Sequence, residues 1–119
     1  MDDKLLSRLE KLMDVVAFST YAIALSTDLS VTYFQETSRE INPVYRSVSE
    51  RNGPLYATLT TAGVYMALVA GAYGLSRIIR KLDRQNTLHD FAIKAFSLYP
   101  YLFIMSAKHI SGALSWAYS

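Results

Sequence analysis

Apolar residues run almost unbroken through Val15–Phe34, Leu55–Ser76 and Ala95–Ser119, and only Asp28, Lys108 and His109 within those stretches can carry charge. Each stretch supplies the roughly 20 residues that a helix needs to cross the hydrocarbon core of a bilayer. A soluble three-helix bundle would show a charged stripe along the outward face of each helix. Leu55–Ser76 shows none, since it contains no Asp, Glu, Lys, Arg or His. Its Tyr56, Thr58, Thr60, Thr61, Tyr65 and Tyr73 are polar residues of kinds that a lipid-embedded helix tolerates. Composition alone, 51% hydrophobic and 18% charged, would also suit a greasy soluble domain, so the distribution decides. It predicts an all-α integral membrane bundle, one domain over residues 1–119, with three transmembrane helices at about 15–34, 55–76 and 95–118.

The connections between the stretches are legible too. Leu5, Leu6, Leu9, Leu12 and Met13 recur at helical spacing behind Asp2 and Asp3, so the first helix is expected to begin as an interfacial N-terminal extension and run on to Phe34. In the next connection, Asn42-Pro43 and Asn52-Gly53-Pro54 are turn signals. Glu40 with Asn42 and Pro43 is expected to organise an outer turn, Val44–Glu50 a short surface helix, and Pro54 the first turn of the second span. Asn86-Thr87 or Asp90 is a candidate cap for the third span. Pro100 predicts a kink, or a helix that starts near His89 and bends on entering the core.

Lys4, Arg8 and Lys11 precede the first span, and Arg77, Arg80, Lys81, Arg84 and Lys94 join the second to the third, against Arg39, Arg46 and Arg51 in the first connection. Basic residues near span ends are retained on the cytoplasmic side. The N-terminus is therefore expected in the cytoplasm of a multi-pass cell-membrane protein, with the C-terminus outside and the basic clusters against lipid headgroups. The opening MDDKLLSRLEKLMD has the charge of a surface helix and not of a cleaved leader, so the first span is expected to stay. A net charge of +2, with no interleaving of basic and aromatic residues, gives no reason to expect nucleic acid as a partner. The chain lacks cysteine, and with it disulfides and thiol nucleophiles.

Candidate chemistry lies in the intramembrane charges. Counting at about 1.5 Å per residue, Asp28 and Lys108 reach a similar depth, which predicts that they pair. Thr32 follows Asp28 by one turn, His109 adjoins Lys108, and Thr60 or Thr61 comes to a comparable level. Asp28, Thr32, Thr60, Thr61, Lys108 and His109 thus form an expected polar layer, either a clamp that fixes helix register or a proton or ion path. His89 and His109 are expected on opposite sides, and no helix face offers ligand spacing, so no metal is expected. The chain carries no glycine-rich phosphate loop, serine elbow or His-Glu-x-x-His, and neither an enzyme nor a cofactor is expected.

The second span also carries a packing signal. Gly63, Ala67 and Gly71 repeat every four residues, a face smooth enough for another helix backbone to approach closely. Either another helix of this chain or a further copy could fill it. The sequence therefore predicts a protein that acts by association, as an accessory or scaffold subunit of a membrane assembly or as a homo-oligomer. Its partners would be membrane lipids and other membrane subunits or copies of itself. The alternative is a small ion or proton channel or transporter whose oligomer lines a path with Asp28, Lys108 and His109.

Asp28-x-x-x-Thr32, then Glu40-Ile41-Asn42-Pro43 and a glycine-marked turn into another apolar helix, resembles the pattern of a group of small uncharacterised prokaryotic multi-span membrane proteins. The resemblance covers roughly Thr20 to Arg80. It implies a small multi-span helical fold and names no activity.

Overall fold

The computed structural model describes residues 3–34, 43–85 and 88–117, and every element among them is a helix. Helix α1 (Asp3–Tyr33) is continuous for 31 residues, with Asp3 in its first turn to favour the positive end of the helix dipole. The N-terminal extension and the first apolar stretch are thus one rod of about 46 Å. Helix α2 (Pro43–Asn52) is the expected short helix, with Arg46 and Glu50 paired one turn apart at 3.2 Å. Glu40 and Asn42 lie outside the described residues, and Pro43 opens α2.

Helix α3 (Pro54–Leu82) begins where Gly53 turns the chain at φ 92°, a left-handed conformation that glycine adopts without a Cβ penalty. Pro54 then occupies the first turn, where its missing N–H costs nothing. The third apolar stretch is divided into α4 (Asp90–Phe96) and α5 (Leu98–Ala117), which meet at Ser97. The cap of α4 is not Asp90: His89 precedes the helix, and its Nδ1 accepts a hydrogen bond from the Phe91 N–H at 3.0 Å. Residues 86 and 87 lie outside the described residues. Pro100 falls in the first turn of α5, so the chain breaks before the proline and not at it.

Helices α1 and α5 run parallel and pack along their length, with α3 antiparallel beside them. Ala17, Tyr21, Ala24, Leu25 and Asp28 on α1 recur every three or four residues, as do Leu98, Leu102, Ser106, His109 and Ala113 on α5. Those two stripes form the seam, and Val69 of α3 completes the core around Tyr21, Leu98, Tyr99 and Leu102.

Among the described residues, two helices are long and apolar enough to cross a membrane, α1 and α3, not the expected three. Helix α5 has the length, but Lys108, His109, Pro100 and its tyrosines lower its mean hydropathy. The two that qualify are poorly covered: in the most apolar 18-residue window of each, 22% of α1 and 11% of α3 is buried within the chain. Val15, Ile23, Leu59, Met66, Leu75 and Ile78 all stand exposed.

Candidate functional site

The seam carries polar groups at both ends. At the end where α1 begins, Lys94 of α4 donates hydrogen bonds to Glu10 Oε1 at 2.9 Å and to Asp14 Oδ2 at 3.0 Å. The Tyr99 hydroxyl donates to Asp14 Oδ1 at 2.7 Å and to the Glu10 carbonyl at 3.2 Å. Burial opposes the Lys94 charge, but the hydrogen bonds and negative charges of Glu10 and Asp14 outweigh it and hold the ammonium above its ordinary value of 10.5. Arg80 of α3 ties in the connection to α4, donating to Asp90 Oδ1 at 2.7 Å and to the Leu88 carbonyl at 2.8 Å. A cavity of about 130 Å³ lies between these groups, lined by Glu10, Ser76, Arg77, Arg80, Asp90 and Lys94 among others.

At the other end Asp28 meets His109. Nδ1 of the imidazole and Oδ2 of the carboxylate are 2.7 Å apart, with the His109 side chain 1% exposed and that of Asp28 20%. Tyr65 of α3 and Tyr21 of α1 stand T-shaped against the imidazole, at centroid distances of 4.5 and 5.6 Å. His109 Nε2 and the hydroxyls of Tyr21 and Tyr101 are buried with no hydrogen-bond partner among the described residues. Gly112 makes room for the carboxylate, since a Cβ there would stand 3.0 Å from Asp28 Oδ1.

The expected partner of Asp28, Lys108, does not take that role. Adjacent residues on a helix point about 100° apart, so only one of Lys108 and His109 can face α1. The stripe through Leu98, Leu102, Ser106 and Ala113 places His109 on the seam and leaves Lys108 exposed. Thr32 and Thr61 are half-buried and Thr60 is exposed, and no described hydrogen bond links any of the three to the pair. Of the expected layer, Asp28 and His109 are brought together, while Lys108 and the threonines stand apart.

Sequence reasoning missed Tyr21, Tyr65, Tyr101 and Gly112, and the whole cluster at Lys94. One signal was available: Asp14, Tyr21 and Asp28 stand seven residues apart, a spacing that keeps them near one face of a helix. The described residues hold no group of three or more His, Cys, Asp and Glu suited to a metal ion.

The smooth face of α3 meets nothing in the described structure. A Cβ built at Gly63 or Gly71 has no neighbouring atom within 4 Å, and Gly63, Ala67 and Gly71 are exposed. The reason lies in the turn of the helix: α3 packs inward through Ala57, Tyr65, Val69, Ala72 and Ser76, and a residue two positions from that stripe points about 200° away. Comparison with protein families, with curated proteins and with solved structures finds no match to this chain.

Proposed function

We propose that this chain is an integral membrane protein that acts by association, as an accessory or scaffold subunit or as a homo-oligomer. The observation that carries the reading is the bare face of α3. A helix of 29 residues that buries so little of itself, and that leaves Gly63 and Gly71 without a neighbour in the described structure and Ala67 exposed between them, presents to its surroundings the kind of surface on which membrane helices associate. Exposed apolar side chains adjoin it, Leu59, Val64, Met66, Leu68, Leu75 and Ile78 among them, a surface that favours lipid or a partner over water.

The proposed orientation follows from charge. The start of α1, the end of α3 and all of α4 share one end of the bundle, where Lys4, Arg8, Lys11, Arg77, Lys81 and Arg84 are exposed. That end lies in the cytoplasm, and the Asp28–His109 end lies toward the outside.

Gly63→Leu and Gly71→Leu test the association. The wild-type protein, extracted in mild detergent, should run as an assembly heavier than one 13.4 kDa chain or with a co-purifying membrane subunit. Each substitution should weaken that assembly by about 1 kcal/mol or more. A single-chain mass for the wild type, or an unchanged assembly in both variants, overturns the reading. Recovery of the protein in the supernatant after membranes are pelleted overturns its membrane half.

A further inference from the structure

The end of the bundle that holds Lys94 carries eight Lys and Arg against five Asp and Glu, counted over residues 3–14 and 77–94. Four of those acids are taken by two cations, Glu10 and Asp14 by Lys94, Asp83 and Asp90 by Arg80. Arg8, Lys11, Arg77, Lys81 and Arg84 make no ion pair with a described residue, and all five are exposed. On α1 the cations Lys4, Arg8 and Lys11 share one face, and the same face runs on through Val15, Phe18 and Ala22, each exposed. On α3 Lys81 and Arg77 lead in the same way into Tyr73, Ala70 and Met66, also exposed. Glu10 lines one cavity with Tyr73 and Arg77, so the change from cation to apolar falls at one level on both helices.

We propose that these two stripes are binding surfaces for anionic phospholipids, with the phosphate against the cations and an acyl chain along the apolar run. Each stripe has the layering of the lipid itself, charge at one end and hydrocarbon beyond it. A zwitterionic headgroup would bring its own ammonium to the same cations, so the surfaces select lipids of net negative charge. The paired acids do not cancel that attraction, because Glu10 and Asp14 point roughly a third of a turn away from the α1 stripe, toward Lys94. Asp3 alone among the described acids lines the shallow hollow of Lys4, Ser7, Arg8 and Lys11. The inference rests on the proposed membrane location.

The test uses the full chain reconstituted in bilayers of equal parts phosphatidylcholine and phosphatidylglycerol, with a spin-labelled form of each lipid to report the fraction held at the protein. Phosphatidylglycerol should be preferred by about fivefold, the ratio that the attraction of one interfacial cation supplies. Raising the salt concentration should reduce the preference. The pair Arg8→Gln and Lys11→Gln should lower it, as should the pair Arg77→Gln and Lys81→Gln, while Arg51→Gln in α2 should leave it unchanged. The wild type decides without any variant: equal retention of the two lipids by a protein that enters the bilayer overturns this inference and leaves the membrane reading standing. A protein that stays in the supernatant overturns both. A preference that survives all four substitutions together, or that Arg51→Gln lowers as far, overturns the assignment to these stripes.

Discussion

The two ends of the α1–α5 seam lie about 21 Å apart on the same pair of rods, and they solve the same problem differently. At the Lys94 end one ammonium serves two carboxylates, Tyr99 serves one of them again, and side-chain exposures of 16% to 33% with an adjoining cavity leave access to water. At the Asp28 end a single imidazole meets a single carboxylate, and the imidazole is sealed. Where water is near, a charge has several ways to be satisfied, and losing one partner is tolerable. Where water is shut out, as around the imidazole, its contact with Asp28 has no substitute.

Breaking the sealed pair should do the most damage. His109→Leu leaves the Asp28 carboxylate without the imidazole it meets at 2.7 Å, and Asp28→Leu leaves a buried imidazole with both nitrogens unpaired among the described residues. Each should cost about 3 kcal/mol of stability in reversible unfolding in detergent. The double variant should recover a large part of the summed loss, because neither orphan remains. Additive losses would mean that the 2.7 Å contact contributes little, and the distinction between the two ends would fall.

Much of this frame could be read before the structure. Asn52-Gly53-Pro54 marked the start of α3, the helical spacing of Leu5 to Met13 foretold one long α1, and Asp28 does meet a side chain of α5. Depth counting brought α5 to the correct level on α1 but chose Lys108, because depth fixes how far along a helix a residue lies and not which way it points. The face is fixed by Leu98, Leu102 and Ser106, whose burial depends on α1. The Lys94 cluster stayed hidden for a related reason: Glu10 and Lys94 are 84 residues apart, and a lysine beside a span reads first as a topology signal. The bare face of α3 was legible as a pattern, yet whether another helix of the chain fills it depends on packing that no local spacing encodes.

The open end should yield a smaller effect. Lys94→Met removes the cation from two half-buried carboxylates and should cost about 2 kcal/mol, less than His109→Leu because Tyr99 still donates to Asp14 and a cavity adjoins Glu10. Lys94 is held above its ordinary 10.5, so its stabilising contribution is present in full below that value and is lost as pH rises through the raised one. The gap in melting temperature between wild type and Lys94→Met should therefore stay constant from about pH 8 up to the ordinary value, and close beyond it. A gap that widens with alkali would mean that Lys94 is not held by these carboxylates.

The finest comparison sets two glycines against each other. Glycine inside a helix costs about 0.5–1 kcal/mol relative to alanine, so an alanine that meets no obstacle should stabilise the chain by that amount. Gly63 meets none in the described structure, and Gly63→Ala should raise the stability of the isolated chain. At Gly112 the new methyl would stand 3.0 Å from Asp28 Oδ1 and 3.4 Å from Oδ2, in contact with the carboxylate that holds His109. The helix gain there is opposed by displacement of the pair, and Gly112→Ala should come out destabilising by about 1 kcal/mol. Thermal unfolding of the two variants in the same detergent gives the sign of each. If Gly112→Ala stabilises as much as Gly63→Ala, the Asp28 carboxylate has room to yield without loss, and the close fit attributed to the sealed end is not what holds it together.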